Sequence, residues 1–426
     1  MTDRPNILYI LTDQQSASAL GCVDPENLTT PAMDGLAAGG VRFDRAYCTY
    51  PLCSPSRASM ITGLMPHQVG VYDNEQTIAE PWANRELGHA MAAAGYDCAW
   101  GGKWHVPERS LPGGHGFRTI CPFDDLDLAD RCIQFLERPR DDPFFLVASF
   151  DNPHNICEWA RQQPLPWGAV AEAPIADCPN LPPNFLPPAY EAEAVAAERT
   201  PRPRSIFRGG SLTEDEWRLY RHVYFRLTEK VDAEIGRILA ALRSSGLEEE
   251  TLVIFSSDHG DGMGAHRWNQ KSVLYEESVR VPLILSWPGR IEAGIVDDEH
   301  LASNGLDLYP TICDFAGVEP PRDLIGRSLR PLVDRAETEE WRHYVVAETL
   351  FGAHIGGLGT EGRMVRSARF KYVRYSWGRN REQLYDLAAD PGEMVNLAVE
   401  SRFRELLDEH RHLLSAWSEA TGDVVI

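Results

Sequence analysis

The 426-residue sequence predicts an α/β fold in which helices flank a large, mixed but mainly parallel sheet. Four short apolar runs show no alternation of polar and apolar residues, which is typical of strands buried on both faces of a parallel sheet. Segments with helical spacing lie between these runs. Near residue 335 the pattern changes to alternating strands, so we expect a large domain over 1–335 and a small C-terminal α+β subdomain with an antiparallel sheet over 336–426.

The four apolar runs are each followed by side chains that carry a charge or an imidazole. The runs cover residues 6–11, 97–100, 144–150 and 251–255, and polar motifs follow at 12–14, 101–105, 151–154 and 256–260. Open α/β sheets bind ligands at the carboxyl ends of their strands. We therefore expect these motifs to meet at one edge of the sheet.

Helices are predicted at 85–94 and 126–136, and a longer one begins at Thr213. Glu216 follows Thr213 by three residues, which is a capping-box pattern. An apolar stripe with helical spacing then extends to residue 242, and Gly246 provides a stop. We interpret the aromatic residues of this stripe as core.

Two further regions complete the predicted organisation. Residues 160–205 hold ten of the thirty prolines and show no periodicity, so they form either a surface excursion that shapes a site or plain connecting chain. In the C-terminal part we expect strands over 344–348 and 363–375 and a terminal helix over about 401–416.

Composition and charge limit the classes of partner. The formal net charge is −22 and the pI is near 5.0, which argues against nucleic acid. An anionic ligand would have to be attracted by local cations.

Nine scattered cysteines indicate neither a disulfide framework nor paired metal-ligand spacing. The sequence contains no apolar run of about 18 residues, the length that a membrane span needs. No leader-like segment precedes the first strand, so we expect a cytoplasmic protein. A periplasmic or secreted protein whose leader had been removed would present the same sequence.

The most specific motif covers residues 53–63, which read C-S-P-S-R-A-S-M-I-T-G. Without further context, Cys53 could simply precede a helix that Pro55 helps to start. The whole run, however, resembles the maturation signature of the type I sulfatases, a family with the alkaline-phosphatase-like fold. The resemblance extends from about residue 4 to about residue 400 and includes the C-terminal E-L-Y-D-L-type segment at 382–397. It implies that a maturation enzyme oxidises Cys53 to formylglycine, whose hydrate is the nucleophile.

The resemblance also implies a divalent cation, Ca²⁺ rather than Mg²⁺. Matched residue by residue, its ligands are Asp13, Gln14, modified Cys53, Asp258 and His259. Gln14 stands where many members have a second aspartate, and its amide oxygen is still a good calcium ligand. His259 stands where many have asparagine. Because imidazole is a softer ligand, the alternatives for His259 are a place behind the direct ligands or contact with the sulfate. Helix capping is the structural alternative for the two aspartates.

The remaining catalytic positions follow from the same resemblance. Lys103 and His105, in G-K-W-H, correspond to the lysine that bridges nucleophile and sulfate and to the histidine that orients the hydrate or accepts its proton. His154 faces the ester oxygen, Lys271 meets the sulfate from the other side, and Arg57 holds the formylglycine through a charge-assisted hydrogen bond. Either His154 or Lys271 is the general acid, and the sequence leaves that choice open.

The sequence thus predicts a sulfuric ester hydrolase that removes sulfate from a small organic sulfate ester or an oligosaccharide, with a sulfated carbohydrate favoured. A phosphonate monoester hydrolase or phosphodiesterase on the same scaffold is the alternative, and a non-catalytic sulfated-glycan binding protein is a third, less favoured hypothesis. Candidates for reading the rest of the substrate are His266, Arg267, Asn269, Arg363, Arg366 and Trp377.

Overall fold

A computed structural model describes residues 4–79, 82, 85–106, 112–202, 206–207, 210–336 and 341–424. Parts of the predicted large domain, of the proline-rich segment and of the C-terminal subdomain therefore lie outside the described residues, namely residues 1–3, 80–81, 83–84, 107–111, 203–205, 208–209, 337–340 and 425–426.

The strands of the described chain are β1 (Asn6–Asp13), β2 (Gly40–Phe43), β3 (Ala46–Tyr47), β4 (Asp97–Gly102), β5 (Arg118–Cys121), β6 (Phe144–Pro153), β7 (Thr251–Ser257), β8 (Leu283–Ser286), β9 (Ile295–Asp297), β10 (Ala302–Ser303), β11 (Tyr344–Phe351), β12 (Thr360–Ser367), β13 (Phe370–Tyr375) and β14 (Glu382–Asp386).

The α-helices are α1 (Pro31–Ala38), α2 (Cys53–Thr62), α3 (Pro66–Val69), α4 (Leu87–Ala93), α5 (Asp125–Leu136), α6 (Ile156–Ala160), α7 (Glu193–Arg199), α8 (Glu214–Ser244), α9 (Glu276–Val279), α10 (Asn304–Ala316), α11 (Arg330–Val333) and α12 (Arg404–Thr421). Short 3₁₀ turns occur at Pro112–His115, Ile175–Asp177, Glu248–Glu250, Ala265–Arg267, Ala353–Ile355, Leu397–Val399 and Ser401–Phe403.

The larger sheet has the strand order β5-β4-β6-β1-β7-β8-β2-β9. The four strands that the apolar runs predict, β4, β6, β1 and β7, are adjacent at its centre and mutually parallel. Strand β8 is antiparallel to both of its neighbours, which makes the sheet mixed. The predicted α/β fold with a large, mainly parallel sheet is confirmed. Because the four strands run in one direction, their carboxyl ends lie at a common edge, where the polar motifs meet.

Both faces of the sheet are covered, which explains why the central strands lack alternation. In β1, Leu8 and Ile10 pack with residues of α5 and α8 in one apolar cluster. Ile7, Tyr9 and Leu11 pack with residues of α2 and α10 in the other. Every residue of β1 is buried.

A second sheet, in the order β11-β12-β13-β14, is antiparallel throughout and packs against α12. This is the predicted C-terminal antiparallel sheet. The prediction of one continuous strand over 363–375 is wrong, since β12 ends at Ser367 and β13 begins at Phe370. The Ser367 side chain hydrogen-bonds to the backbone of Phe370 and closes the turn between them. The terminal helix extends to Thr421, beyond the predicted end near 416.

The helix predicted from Thr213 is confirmed as α8, and both hydrogen bonds of its capping box are present. The helix predicted over 85–94 begins later, at Leu87. Residues 160–205 contain the short helix α7, which the proline content concealed. No helix in the described ranges combines the length and the apolar character needed to cross a bilayer.

Candidate active site

Cys53 is the first residue of α2, a helix whose ten residues are all buried. Pro55 falls in the first turn, where the missing N–H group costs no hydrogen bond. Gly63 adopts a left-handed conformation (φ 70°) and ends the helix. The fold therefore holds the thiol of Cys53 at a buried helix N-terminus, an environment that favours an anion.

Two buried carboxylates lie beside Cys53 because β1 and β7 are neighbours. Asp13 ends β1, and Asp258 directly follows β7. Arg57, one turn along α2 from Cys53, bridges them. Its Nε lies 2.7 Å from Asp258 Oδ2, and its Nη2 lies 3.1 Å from Asp13 Oδ2. Its Nη1 donates to Lys103 O and to Ser149 Oγ.

The contacts of Arg57 differ from the predicted one. All three guanidinium nitrogens bind groups other than residue 53, so the arginine balances the two aspartates and fixes α2 against the sheet. The predicted hydrogen bond to residue 53 is not among its contacts in the described part of the chain.

The other carboxylate oxygens face a common point. Asp13 Oδ1 lies 3.7 Å from Cys53 Sγ and 4.0 Å from His259 Nε2. Asp258 Oδ1 lies 3.7 Å from the same imidazole nitrogen. Ligand atoms of Asp13, Cys53, Asp258 and His259 all lie within 4.8 Å of one another, and all four residues are buried. This donor set fits a divalent cation on the side of the carboxylates that Arg57 leaves open.

Gln14 lies at the edge of this cluster. Its φ is 69°, and its backbone N–H donates to Asp258 Oδ1 at 3.0 Å. Its side-chain amide donates to Asp261 Oδ2, which leaves Oε1, the atom that the sequence predicts as a metal ligand, 3.5 Å from Cys157 Sγ.

Two lysines flank the thiol. Lys271 Nζ lies 3.0 Å from Cys53 Sγ. Lys103 Nζ contacts Asp13 Oδ2 at 2.8 Å and Asp151 Oδ1 at 2.9 Å. An ammonium group has three donors, so both lysines keep N–H groups for a bound anion.

The histidines occupy the same neighbourhood. His259 Nε2 lies 3.4 Å from Cys53 Sγ, and the side chain of His105 also hydrogen-bonds to Cys53. His154 follows β6, with its Nδ1 3.7 Å from Asp151 Oδ1. The predicted catalytic and metal-binding residues therefore lie around position 53 or contact a neighbour of it, and His154 is linked to Lys103 through Asp151.

The charges shift the acidities of these groups. Burial opposes ionisation of the Cys53 thiol, but the positive charges of Lys271 and Lys103 hold its pKa well below the usual value. Burial and the charge of Asp13 raise the pKa of the Asp258 carboxyl to about 6. Burial lowers the pKa of His105, which favours the neutral imidazole.

A cavity of about 420 Å³ opens next to this cluster. Lys103, His105 and His154 form part of its wall, and Pro166 and Trp167 bring the proline-rich segment to it. Phe123 adds an aromatic ring that is half exposed (52%).

Several residues of this cavity were not predicted from the sequence, and some predicted ones lie elsewhere. The residues not predicted include Phe123, Asp151, Asn155, Glu158 and Trp167. Asp151 could have been found from its position directly after the β6 run, but Phe123 and Trp167 lie in segments without periodicity. Arg363 pairs instead with Asp423, Arg366 binds Tyr47, Trp377 binds Thr360, and His266 stacks on Tyr275. Arg267 lies over Phe185, and the side chain of Asn269 donates to Ile206 O.

The fold and the anion-binding site together point to one class of enzyme, and comparison with known proteins identifies the same class. The Sulfatase family model matches residues 5–318, and a model of the C-terminal part of N-sulphoglucosamine sulphohydrolase matches residues 264–419. The chain belongs to the sulfatase family and is an enzyme of that class, with the alkaline-phosphatase-like fold.

Individual relatives extend over nearly the whole chain. The sequence is 33% identical to a Delta 4,5-hexuronate-2-O-sulfatase of Bacteroides thetaiotaomicron over 448 residues, covering 99% of this chain and 90% of that protein. The structure of a 2-O GAG sulfatase superposes with a TM-score of 0.87 at 31% identity, covering 99% of this chain and 93% of the other. A phosphonate monoester hydrolase of Agrobacterium radiobacter superposes with a TM-score of 0.77 at 25% identity, covering 98% and 96%.

Proposed function

We propose that this sulfatase hydrolyses the sulfate ester of a sulfated carbohydrate, with formylglycine formed from Cys53 by a maturation enzyme and with Ca²⁺ as its cation. The observation that carries the proposal is the position of Cys53 at a buried helix N-terminus, 3.0 Å from Lys271 Nζ and within the four-residue metal-ligand cluster. The carbohydrate substrate is supported by the names of the relatives, a hexuronate sulfatase and a GAG sulfatase.

Formylglycine, when hydrated, supplies a nucleophilic oxygen, and the cation supplies positive charge beside it. Asp13, Asp258, His259 and residue 53 would hold the cation. The amide oxygen of Gln14, which the sequence predicts as a further ligand, contacts Cys157 Sγ instead of facing these four residues. Carboxylate oxygens suit a hard cation, and Ca²⁺ accepts varied ligand arrangements whereas Mg²⁺ requires near-octahedral geometry, so we favour Ca²⁺.

The lysines bind the sulfate group. Lys271 approaches position 53 from one side, and Lys103 approaches Asp13 from the other. Their remaining N–H donors neutralise the sulfuryl oxygens, where charge is present throughout the reaction. Because the chain carries a net charge of −22, this local pair of cations is what attracts the anionic substrate.

We assign protonation of the leaving oxygen to His154. His154 lines the cavity that has room for the alcohol part of the ester, whereas Lys271 donates to position 53 on the nucleophile side. The contact with Asp151 orients the imidazole of His154. His105, hydrogen-bonded to residue 53, orients the nucleophile and accepts its proton.

Phosphonate monoester hydrolysis is the second candidate. The structural likeness to the Agrobacterium radiobacter enzyme favours it, because that protein superposes over 98% of this chain. The same lysine pair would bind a phosphonate oxygen as readily as a sulfate oxygen.

A substrate screen separates the two candidates. The purified protein is assayed with sulfated mono- and disaccharides, 4-nitrophenyl sulfate and phenyl phosphonate monoesters, after treatment with EDTA and after addition of Ca²⁺ or Mg²⁺. We expect the highest kcat/KM for a sulfated saccharide and loss of turnover in EDTA that Ca²⁺ restores. Faster turnover of the phosphonate ester would overturn the proposal.

Mass spectrometry of the peptide that contains residues 53–57 tests the modification. We expect the mass of formylglycine in the active protein. In Cys53→Ala we expect no detectable hydrolysis and an unchanged circular-dichroism spectrum. Unchanged turnover in that variant would rule out a nucleophile at position 53.

A further inference from the structure

A second group of side chains that can bind a metal lies outside the active site. It consists of His266, Glu277 and Glu393, whose ligand atoms all lie within 4.8 Å of one another. His266 is 0% exposed and Glu393 is 1% exposed. The ligand atoms of the catalytic cation site, formed around residue 53, show the same spacing and are also buried. Burial of this second group is therefore compatible with an ion enclosed between its ligand atoms.

Two ligand atoms of this group have no hydrogen-bond partner in the described part of the chain. They are Glu277 Oε2 and His266 Nδ1, and both are buried. The amide of Asn184 has two hydrogens, and its shorter contacts are 2.8 Å to Glu277 Oε1 and 3.2 Å to Gly392 O. Its third contact, to His266 Nε2, is 3.4 Å long and therefore weak. Buried polar atoms without partners are costly, and proteins rarely keep them unless an ion, a ligand or water completes them.

The two carboxylates of the group differ in their ion pairs. Lys371 Nζ lies 2.8 Å from Glu393 Oε1, whereas Glu277 forms no ion pair with any described residue. An ammonium group beside a ligand carboxylate does not exclude a cation, because Lys103 Nζ likewise lies 2.8 Å from Asp13 Oδ2 at the catalytic cation site. A divalent cation would supply the positive charge that Glu277 lacks.

The donor set indicates which cation fits. One imidazole and two carboxylates suit Zn²⁺, whereas Ca²⁺ and Mg²⁺ prefer oxygen ligands alone. Burial and the nearby charges of Arg199 and Lys371 lower the pKa of His266 to about 3, so its imidazole is neutral, which is the form that binds a metal. A cavity of about 310 Å³, whose wall includes Glu276 and Glu277, gives an ion a route to the group.

We propose that His266, Glu277 and Glu393 bind a second divalent cation, Zn²⁺, with water in the remaining position. His266 lies five residues before Lys271, and Glu277 lies six residues after it. Glu393 follows β14 of the C-terminal sheet. The ion would therefore fasten both ends of the segment that carries Lys271 to the C-terminal part of the chain. The proposal concerns the position of this segment and does not depend on the proposed function.

Calorimetric titration with ZnCl₂ tests the site. The full-length wild type is kept in excess Ca²⁺, which fills the catalytic cation site, and we expect it to bind one Zn²⁺ per chain. Glu277→Gln retains the oxygen that accepts from Asn184 but removes the charge. We expect Zn²⁺ to bind this variant at least about tenfold more weakly. Equal affinity in the two proteins, or no Zn²⁺ bound by the wild type, would overturn the proposal.

A third group of possible ligands provides a matched control, namely His67, Glu348 and Asp423. In this group Arg363 Nε lies 2.8 Å from Asp423 Oδ2, and His67 pairs with Glu348, so these ligand atoms already have partners. We expect His67→Phe to bind Zn²⁺ as the wild type does. Loss of Zn²⁺ binding in His67→Phe, with normal binding in Glu277→Gln, would place the ion in this third group and refute the assignment.

Thermal unfolding separates a metal ligand from a glutamate that only accepts a hydrogen bond. An ion that binds only the folded protein stabilises it, so Zn²⁺ should raise the Tm of the wild type and leave that of Glu277→Gln unchanged. A purely hydrogen-bonding role predicts the same difference in Tm between the two proteins with and without Zn²⁺, and that result would contradict the site. Neither measurement involves ester hydrolysis, so a negative result leaves the proposed function standing.

Discussion

Arg57 determines whether two aspartates can lie side by side in the interior. Asp13 and Asp258 are both fully buried, and each gives one oxygen to the guanidinium group. A buried charge that loses its partner is strongly destabilising. Without Arg57, Asp13 would keep Lys103 at 2.8 Å, so the loss would fall mainly on Asp258. The stability of the site and its capacity for a cation are therefore coupled through this residue.

We expect Arg57→Met to lower the free energy of unfolding by about 3–5 kcal/mol, since it leaves the two carboxylates without their shared cation. Ca²⁺ should recover part of the loss, because a cation that binds only the folded protein stabilises it. Urea unfolding with and without Ca²⁺ measures both effects. Arg322→Met, a change at a side chain that is 94% exposed, should stay within about 0.5 kcal/mol of the wild type. A stability loss at Arg57 no larger than in this control would contradict the pairing.

The role of His154 can be tested through the leaving group. A nitrophenolate leaves without a proton, whereas the alkoxide of a sugar needs one. We expect His154→Ala to lower kcat by a factor of about 10²–10⁴ on a sulfated saccharide and much less on 4-nitrophenyl sulfate. Steady-state assays on both substrates test this role of His154. Equal losses of kcat on the two substrates would assign the proton to Lys271 instead.

The sequence predicts those parts of the molecule whose signals are local in the chain. The four central strands are predictable because burial on both faces leaves continuous apolar runs, and their parallel direction then brings Asp13, Lys103, His154 and Asp258 to one edge. The contacts of Arg57 are not predictable, because they depend on how α2 crosses the sheet. Phe123 and Trp167 belong to segments without periodicity, so only the folded chain shows that they share a cavity.

Helices α1 and α8 are joined by a carboxylate that acts as a cap between elements. Asp232, on α8, accepts from the backbone N–H groups of Ala32 and Met33 at the start of α1. Thr30, which precedes α1, provides no side-chain cap of its own. The first turn of α1 therefore depends on a residue about 200 positions away in sequence.

This cap makes stability depend on pH. Burial raises the pKa of Asp232 to about 6 from its usual 3.8. Because the folded state disfavours the charged form, the contribution of Asp232 is greatest below about pH 4 and is lost as the pH rises through about 6. Asp232→Asn does not titrate. We expect the wild type minus variant difference in unfolding free energy to fall between pH 4 and pH 7 in urea titrations, and a constant difference would refute the linkage.

The whole molecule works as one unit because the C-terminal sheet holds the segment that carries Lys271. Ser272 N donates to Pro51 O, which joins this segment to the approach to Cys53. On the other side, the Thr349 hydroxyl, from β11, donates to Ser272 O. The position of Lys271 relative to Cys53 thus depends on contacts from the loop before α2 and from the C-terminal sheet.

Lys371 makes a further link between the C-terminal sheet and this segment. It lies on β13 and is 0% exposed, and its Nζ lies 3.1 Å from Glu276 Oε1 and 2.8 Å from Glu393 Oε1. Glu276 begins α9, five residues after Lys271. Removing the lysine would take the nearest cation from Glu276, which keeps Arg280 at 3.7 Å, and the ion pair from the buried Glu393, and would loosen the segment that positions Lys271.

We expect Lys371→Met to lower the free energy of unfolding by about 3–5 kcal/mol and to reduce kcat, although Lys371 does not touch the site. Arg369 lies two residues before Lys371 and makes an exposed ion pair with Asp386. Arg369→Met should therefore change stability by less than about 1 kcal/mol. Adding Glu276→Gln to Lys371→Met should restore part of the stability, because one of the two carboxylates that lost Lys371 is then uncharged. Urea unfolding and saturating-substrate assays of the four proteins measure this. If the double variant is less stable than Lys371→Met alone, the loss comes from packing rather than from the buried charge, and the C-terminal sheet does not hold the Lys271 segment through this ion pair.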